Sequence, residues 1–244
     1  MKKIVIFFLC LIITIPSFAG NNEKSGYFKF GAGGWSTYYL PLNLDALNND
    51  LTSLIGIQSG FKGEMFMHGF GGWGYVGHNI RLGGIGAMGQ NVISRKPGEI
   101  TKEITLNIEL GGFTIEKAFH PFNKMEISIG AMLGGGTSNL KLRQWGNSTN
   151  WEELVGNGFA SNSLDSSITY FNFQDELKND FFAIMPTIGF KHNIFRWCAI
   201  GCNASYLFTT MDKNKWQMYD KNVYNMPKFD YSNVMYSINL YFGG

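Results

Sequence analysis

The chain has 244 residues, with 20 Lys and Arg against 18 Asp and Glu, 45% hydrophobic residues, 31 glycines and 21 phenylalanines. That balance offers no basic field for nucleic acid, and the absence of a low-complexity linker or composition break fits one domain. In chain order, Lys2-Lys3, the apolar run Ile4–Ile15, Pro16 and Ser17-Phe18-Ala19 read as a secretory signal peptide over 1–19, cleaved before Gly20. The apolar run is shorter than the ~20 residues a membrane-crossing helix needs. Cys10 lacks the small residues that precede a lipoprotein cysteine, so lipidation is not expected. Losing Lys2 and Lys3 takes the basic residues from 20 to 18, and the mature chain 20–244 is then formally neutral.

Beyond the signal, apolar residues recur with period two, the mark of strands. Eight are predicted, at about 26–40, 62–77, 80–94, 101–119, 124–142, 181–191, 195–210 and 231–243. Alternation is cleanest in the fourth (Ile104, Leu106, Ile108, Leu110), the fifth (Ile127, Ile129, Leu133) and the eighth. Short turns are expected around His78-Asn79, across His120 to Asn123 and around His192-Asn193. The remaining connections, 41–61, 95–100, 144–180 and 211–230, are polar and mostly long, so short and long connections alternate. Leu44, Leu47, Leu51, Leu54 and Ile55 stand at helical spacing in loop 41–61, suggesting a lid over a barrel mouth, a helix in the outer leaflet, or a helix packed among loops. Loop 144–180 mixes acids (Glu152, Glu153, Asp165, Asp175, Glu176, Asp180) with Trp145, Trp151, Tyr170, Phe171 and Phe173, a mixture suited to sugars, to cations or to a small apolar cluster of its own.

An even number of antiparallel strands with short turns at one end and long loops at the other is the layout of a bacterial outer-membrane barrel. On that layout the chain resembles the small eight-stranded outer-membrane barrels, the class that includes the membrane domain of outer membrane protein A and its short relatives. The resemblance implies an all-β fold, an eight-stranded antiparallel up-and-down transmembrane β-barrel with short periplasmic turns and long outer loops. It implies a monomer in the outer membrane, in contact with outer-membrane lipids and inserted by the barrel assembly machinery. It also implies an assembly signal in the last strand: Phe242 as the terminal aromatic, with Val234, Tyr236, Ile238 and Leu240 at alternate positions before it. Gly243-Gly244 depart from that pattern, since the aromatic usually ends the chain.

An outward apolar band with two aromatic belts follows. The turn-end belt is expected at Phe28, Trp73, Tyr75, Phe119, Phe122, Phe190, Phe195, Trp197, Tyr241 and Phe242. The loop-end belt is expected at Tyr38, Tyr39, Phe181, Phe182, Tyr206, Phe208 and Tyr231. Gly111-Gly112 suggests a bulge, because the apolar parity changes from Leu110 to Phe113, and without it Glu116 would face lipid. Pro186 in mid-strand predicts a bulge or an unpaired stretch.

For eight strands the lumen is filled by side chains or holds one small ligand. Parity places Glu64, Phe66, His68, Phe70, Arg81, Glu109, Glu126, Met132 and Met185 inside, with Glu64, His68, Arg81, Glu109 and Glu126 as a polar network in which Arg81 pairs with one of the three glutamates. His78, His120 and His192 fall in turns spread around the rim and cannot share a metal. Cys198 and Cys202, four apart on one strand face, stand about 13 Å apart, too far for a disulfide or a shared ion. No cofactor is implied. The glycine runs precede no helix and so do not cradle phosphate. The deacylase type of lipid A-modifying barrel places a histidine two residues before its serine, and none of the four histidines has that neighbour; an enzyme is not expected. The functional reading is a barrel of structural or surface-interaction type with a largely filled lumen. The alternatives are a narrow channel or binding site for small or lipophilic solutes and a secreted lipocalin-like ligand binder.

Overall fold

The computed structural model describes residues 30–55, 60–98, 100–146, 173–227 and 230–243. The expected signal segment 1–19, Phe28 and most of loop 144–180, including Glu152, Glu153, Asp165, Trp151, Tyr170 and Phe171, lie outside the described residues. In chain order the elements are β1 (Gly31–Pro41), α1 (Asp45–Ile55), β2 (Glu64–Gly77), β3 (Ile80–Arg95), β4 (Thr101–Phe122), β5 (Met125–Trp145), β6 (Phe173–Asn193), β7 (Cys198–Thr210), a 3-10 turn (Lys213–Lys215), β8 (Gln217–Met218), β9 (Lys221–Asn222) and β10 (Asn233–Gly243). Eight strands run side by side in the order β5-β4-β3-β2-β1-β10-β7-β6, and β5 pairs with β6 to close the ring. Every neighbouring pair is antiparallel, so the fold is an up-and-down barrel with no free edge around the ring. The small strands β8 and β9 form a hairpin in the last long loop, joined to β6 by the pair Lys178–Gln217.

The turns follow backbone chemistry. His78 and Asn79 both have positive φ, 49° and 60°, as a two-residue turn matched to strand twist requires. β4 runs on to Phe122, and the next turn falls on Asn123-Lys124, with Lys124 at φ 70°. The register shifts between Phe119 and Phe122, so His120-Pro121 forms a bulge where Pro121 has no N–H to pair. β6 likewise continues through Asn193, and the expected turn at His192-Asn193 moves to 194–197, where the N–H groups of Ile194 and Phe195 both reach the Cys198 carbonyl.

Stave length divides the barrel into a tall and a short wall. β4, β5 and β6 have 22, 21 and 21 residues, while β1, β7 and β10 have 11, 13 and 11. The tall wall overhangs the loop end. β6 starts eight residues before the sequence suggests because Gln174, Glu176, Lys178 and Asp180 give its first turns a loop-like polarity, yet they pair in register with β5.

Two expected irregularities resolve differently. At Gly111-Gly112 there is no bulge: the ladders to β3 and β5 pass through without a shift, and even-numbered residues of β4 face inward from Ile104 to His120. What changes near Gly111 is which face is apolar. At Pro186 the register is kept, but the pairs Met185–Leu207 and Pro186–Tyr206 are missing from the β6–β7 ladder. Pro186 has no donor for β7, so the unpaired stretch forms without a bulge.

Candidate functional site

Around the turn half of the barrel the outward residues form an apolar belt. It includes Leu82 and Met88 on β3, Phe113 and Ile115 on β4, Ile127, Ile129 and Leu133 on β5, Ile184 and Ile188 on β6, and Tyr236, Ile238 and Leu240 on β10. A rim of Glu64, Gln90, Glu109, Thr137 and Asp180 ends it toward the loops. Between that rim and the turns lie about ten residues of strand, a height of roughly 25 Å when tilted, as a bilayer-crossing barrel requires. Aromatics edge the belt at both ends: Phe195, Trp197 and Phe242 stack in series at the turn end (5.7 and 6.1 Å), and Tyr39, Phe182, Tyr206 and Phe208 stand at the other. Trp73, Tyr75, Tyr241, Tyr38, Phe181 and Tyr231 do not join these belts; the barrel strands turn the first five inward, and Tyr231 is buried in the loop-end core.

Of the residues expected in the lumen, Arg81, Glu126, Met132 and Met185 are inside. Glu64, Phe66, His68, Phe70 and Glu109 face outward. The inward side of β2 instead carries Met65, Met67, Gly69, Gly71, Trp73 and Tyr75. Glycine decides the parity: a Cβ at Gly83 would meet the Gly72 carbonyl at 2.1 Å and the Trp73 Cβ at 2.8 Å. In so narrow a ring the inward positions are the crowded ones: on β2 Phe66 and Phe70 go outward, while glycines at 69, 71 and 83 leave room for inward Trp73 and Tyr75. His68 stacks on Trp35 at 5.6 Å, on the outside.

The turn half of the lumen is a charged plug. Arg81 is ion-paired to both Glu116 and Glu126, and its Nη2 donates to Ser128 Oγ at 2.9 Å. Lys191 Nζ lies 2.9 Å from Glu126 Oε2, which also accepts from Tyr75 OH at 2.7 Å and lies 3.1 Å from His120 Nε2. Both cations lie over the Trp73 ring, Arg81 Cζ 4.6 Å and Lys191 Nζ 4.5 Å from its centroid. Two cations face two carboxylates, so the plug is formally neutral with His120 uncharged. Register assembles it: Glu116 is the cross-strand partner of Arg81, and Lys191 that of Glu126. Gly130 makes room, since a Cβ there would meet Glu116 Cγ at 2.5 Å. Glu116, Lys191, His120, Tyr75 and Trp73 were not among the network residues expected from sequence. Inward even parity from Ile104 to Leu110, carried on without a bulge, puts Glu116 beside Arg81 and was the available signal.

The loop half reverses sidedness. Ile104, Leu106, Ile108 and Leu110 of β4 turn inward, onto Leu140, Leu177 and Phe181. Into that apolar core pack Leu44, Leu47 and Leu51 from α1, together with Phe61, Trp216 and Tyr231. α1 is therefore a lid over the mouth. Asp45 sits in its positively polarised first turn, and Asn48 clips it down, donating to the Phe61 carbonyl (3.1 Å) and accepting from the Phe61 N–H (2.7 Å). The Ser138 hydroxyl meets Tyr231 OH at 2.6 Å, and burial pushes the Tyr231 hydroxyl pKa up. Asp230 accepts from Thr209 at 2.6 Å and from Ser232 at 2.8 Å; burial raises its pKa, but these bonds outweigh it and hold the carboxyl below its usual range. Outside, the overhanging wall shows ion pairs at ordinary surface distances, Arg143–Glu103 and Lys141–Glu176, each at 3.5 Å.

Among the described residues no group of three or more His, Cys, Asp or Glu side chains could hold a metal ion. Val234, Tyr236, Ile238, Leu240 and Phe242 all lie on the outward face of β10. No protein-family model and no curated protein matches the sequence. Among solved structures the chain is similar to Ail, the attachment invasion locus protein of Yersinia pestis, in complex with the heparin analogue sucrose octasulfate. That comparison has a TM-score of 0.43 and 11% identity, over 87% of this chain and 98% of that one. Uncomplexed Ail gives a TM-score of 0.37 and 9% identity, over 87% and 95%. CarO2 of Acinetobacter baumannii gives a TM-score of 0.35 and 7% identity, over 87% and 98%.

Proposed function

We propose that the protein is a monomeric outer-membrane barrel of surface-interaction type, closed to water and ions. The observation that carries this reading is the reversal of sidedness along the staves: apolar outside and polar inside over the belt, polar outside and apolar inside above it. The lower half has the distribution of a barrel solvated by lipid, and the upper half that of one solvated by water. A secreted ligand binder would not expose a continuous apolar ring to water. Segment 1–19 exports the chain, and both barrel ends of the chain, β1 and β10, stand at the periplasmic side with the short turns. The assembly machinery reads the outward row Val234, Tyr236, Ile238, Leu240 and Phe242. The overhanging wall, the lid and the last loops face the exterior and present the interaction surface, and no catalytic role is assigned to any residue.

The test combines fractionation, boiling-dependent gel mobility and conductance in a planar bilayer. The reading expects outer-membrane recovery, a mobility shift and no sustained conductance. Recovery as a soluble periplasmic protein, or porin-like conductance, overturns it.

A further inference from the structure

We propose that the turn end of the barrel is a contact surface for anionic phospholipid headgroups of the periplasmic-facing leaflet. The inference rests on the membrane placement proposed above, with the short turns on the periplasmic side. Its first support is charge. Each of the three short turns carries one cation: Lys117 reaches the β2–β3 turn, Lys124 lies in the β4–β5 turn and Arg196 in the β6–β7 turn. The acids of this end, Glu116 and Glu126, turn inward and are ion-paired within the plug. Among the described residues no carboxylate therefore stands on the outside of the turn end. The opposite boundary of the belt is acidic, its charged residues being Glu64, Glu109 and Asp180.

The second support is the place of Lys117. It lies on the outward face of β4, opposite Ile80 of β3 and Ile129 of β5. Its Nζ extends to the turn and donates to the His78 carbonyl at 2.8 Å. A lysine on the lipid side lays its stem along apolar neighbours and delivers its charge to the interface. The ammonium has three donors and the carbonyl takes one; no carboxylate among the described residues pairs with it. An anionic headgroup completes it.

The third support is the apolar anchor beside the other two cations. Phe122 is exposed two residues before Lys124, and exposed Phe195 and Trp197 flank Arg196 in the chain, stacked on each other at 5.7 Å. Aromatics at a bilayer boundary sit at headgroup level, which sets Lys124 and Arg196, both exposed, at the phosphate plane. The guanidinium fork of Arg196 matches phosphate geometry. A surface with cations and no carboxylate offers nothing to the ammonium of a zwitterionic headgroup, so it selects lipids of net negative charge. Contact is noncovalent and leaves the charged plug undisturbed.

Electron spin resonance of the full chain reconstituted in phosphatidylcholine tests the surface, with spin-labelled phosphatidylglycerol and phosphatidylcholine as probes of how much lipid the barrel immobilises. At low salt phosphatidylglycerol is expected to be held about fivefold more strongly, the worth of one cation near an anionic surface. Salt at about 1 M is expected to abolish the preference by screening. Lys117→Gln/Lys124→Gln/Arg196→Gln is expected to show no preference, whereas Lys178→Gln/Lys213→Gln/Lys215→Gln at the loop end keeps it. Boiling-dependent gel mobility reports folding. Should the turn-end variant fail to fold, Lys124→Gln/Arg196→Gln, confined to the turns, is expected to lose most of the preference. With the mobility shift intact, the proposal is overturned by equal immobilisation of the two lipids, by an undiminished preference in the turn-end variant, or by the same loss in the loop-end variant. Co-sedimentation with isolated cell-wall sacculi that the turn-end variant abolishes, without any lipid preference, overturns it in favour of a cell-wall contact. A wild-type chain without the mobility shift overturns the membrane placement, and the proposal with it.

Discussion

The two halves of β4 are one uninterrupted strand with opposite chemistry. From Thr101 to Leu110 its inward residues are Ile104, Leu106, Ile108 and Leu110; from Gly112 to His120 they are Thr114, Glu116, Ala118 and His120. Its outward side runs from Glu103, Asn107 and Glu109 to Phe113 and Ile115. Geometry is the same in both, so the surrounding medium selects the pattern. Where water surrounds the wall, burying apolar groups inside stabilises it; where lipid surrounds it, apolar groups gain nothing by turning inward, and the lumen is left to groups that satisfy one another.

The sharpest break of that contrast is at Glu126. Glu126→Ala leaves Arg81 and Lys191 short of a buried partner and is expected to destabilise by about 3–5 kcal/mol; removal of Glu176 from the exposed pair with Lys141 should cost about 0–1 kcal/mol. Denaturant unfolding in lipid vesicles compares them, and equal losses would erase the difference between the halves. Leu106→Ala in the loop-end core is expected to cost about 2–5 kcal/mol. Limited proteolysis should then cut near α1 while the belt stays protected, since the lid rests on that core.

Lysine substitutions on outward positions set lipid against water directly. Ile129→Lys should destabilise by about 2–4 kcal/mol near the belt centre, whereas Asn107→Lys on the overhang should stay within about 0.5 kcal/mol. Similar penalties at both would mean that the overhang is also in lipid. The smallest effect concerns Asp230. Its folded pKa is depressed, so its contribution is present above the unfolded value near 4 and is lost as pH falls through the lower folded value. Asp230→Asn should therefore weaken the protein slightly at neutral pH, with the difference from wild type vanishing on acidification in pH-dependent unfolding.

Strand positions were legible because period two survives whichever face is apolar; the eight predicted segments overlap all eight staves. The facing of side chains was less so. In β2 both parities are apolar, Met65 and Met67 on one and Phe66 and Phe70 on the other, and hydrophobicity cannot rank them. Glycine crowding at 69 and 71 does, but only once curvature is known. In β4 a true reversal of environment mimicked a bulge, which misplaced Glu109; the expected bulge and the unbroken ladder both keep Glu116 off the lipid side, but the bulge did not join it to Arg81. Arg81 and Glu126 were found because each alternates with outward apolar neighbours, Leu82 for Arg81 and Ile127 for Glu126, so parity alone sends them inward. The polar start of β6 was hidden for the same reason that the overhang exists: a strand in water carries the side chains of a loop.

The unequal staves have a consequence for how the molecule meets others. A barrel with a level rim is a post, the same from every compass direction. Here β4, β5 and β6 rise well beyond the belt while β1, β7 and β10 stop near it, so the molecule has a front and a back within the plane of the membrane. Anything gripping the raised wall fixes the rotation of the whole protein about the membrane normal, and with it the compass bearing of the low side.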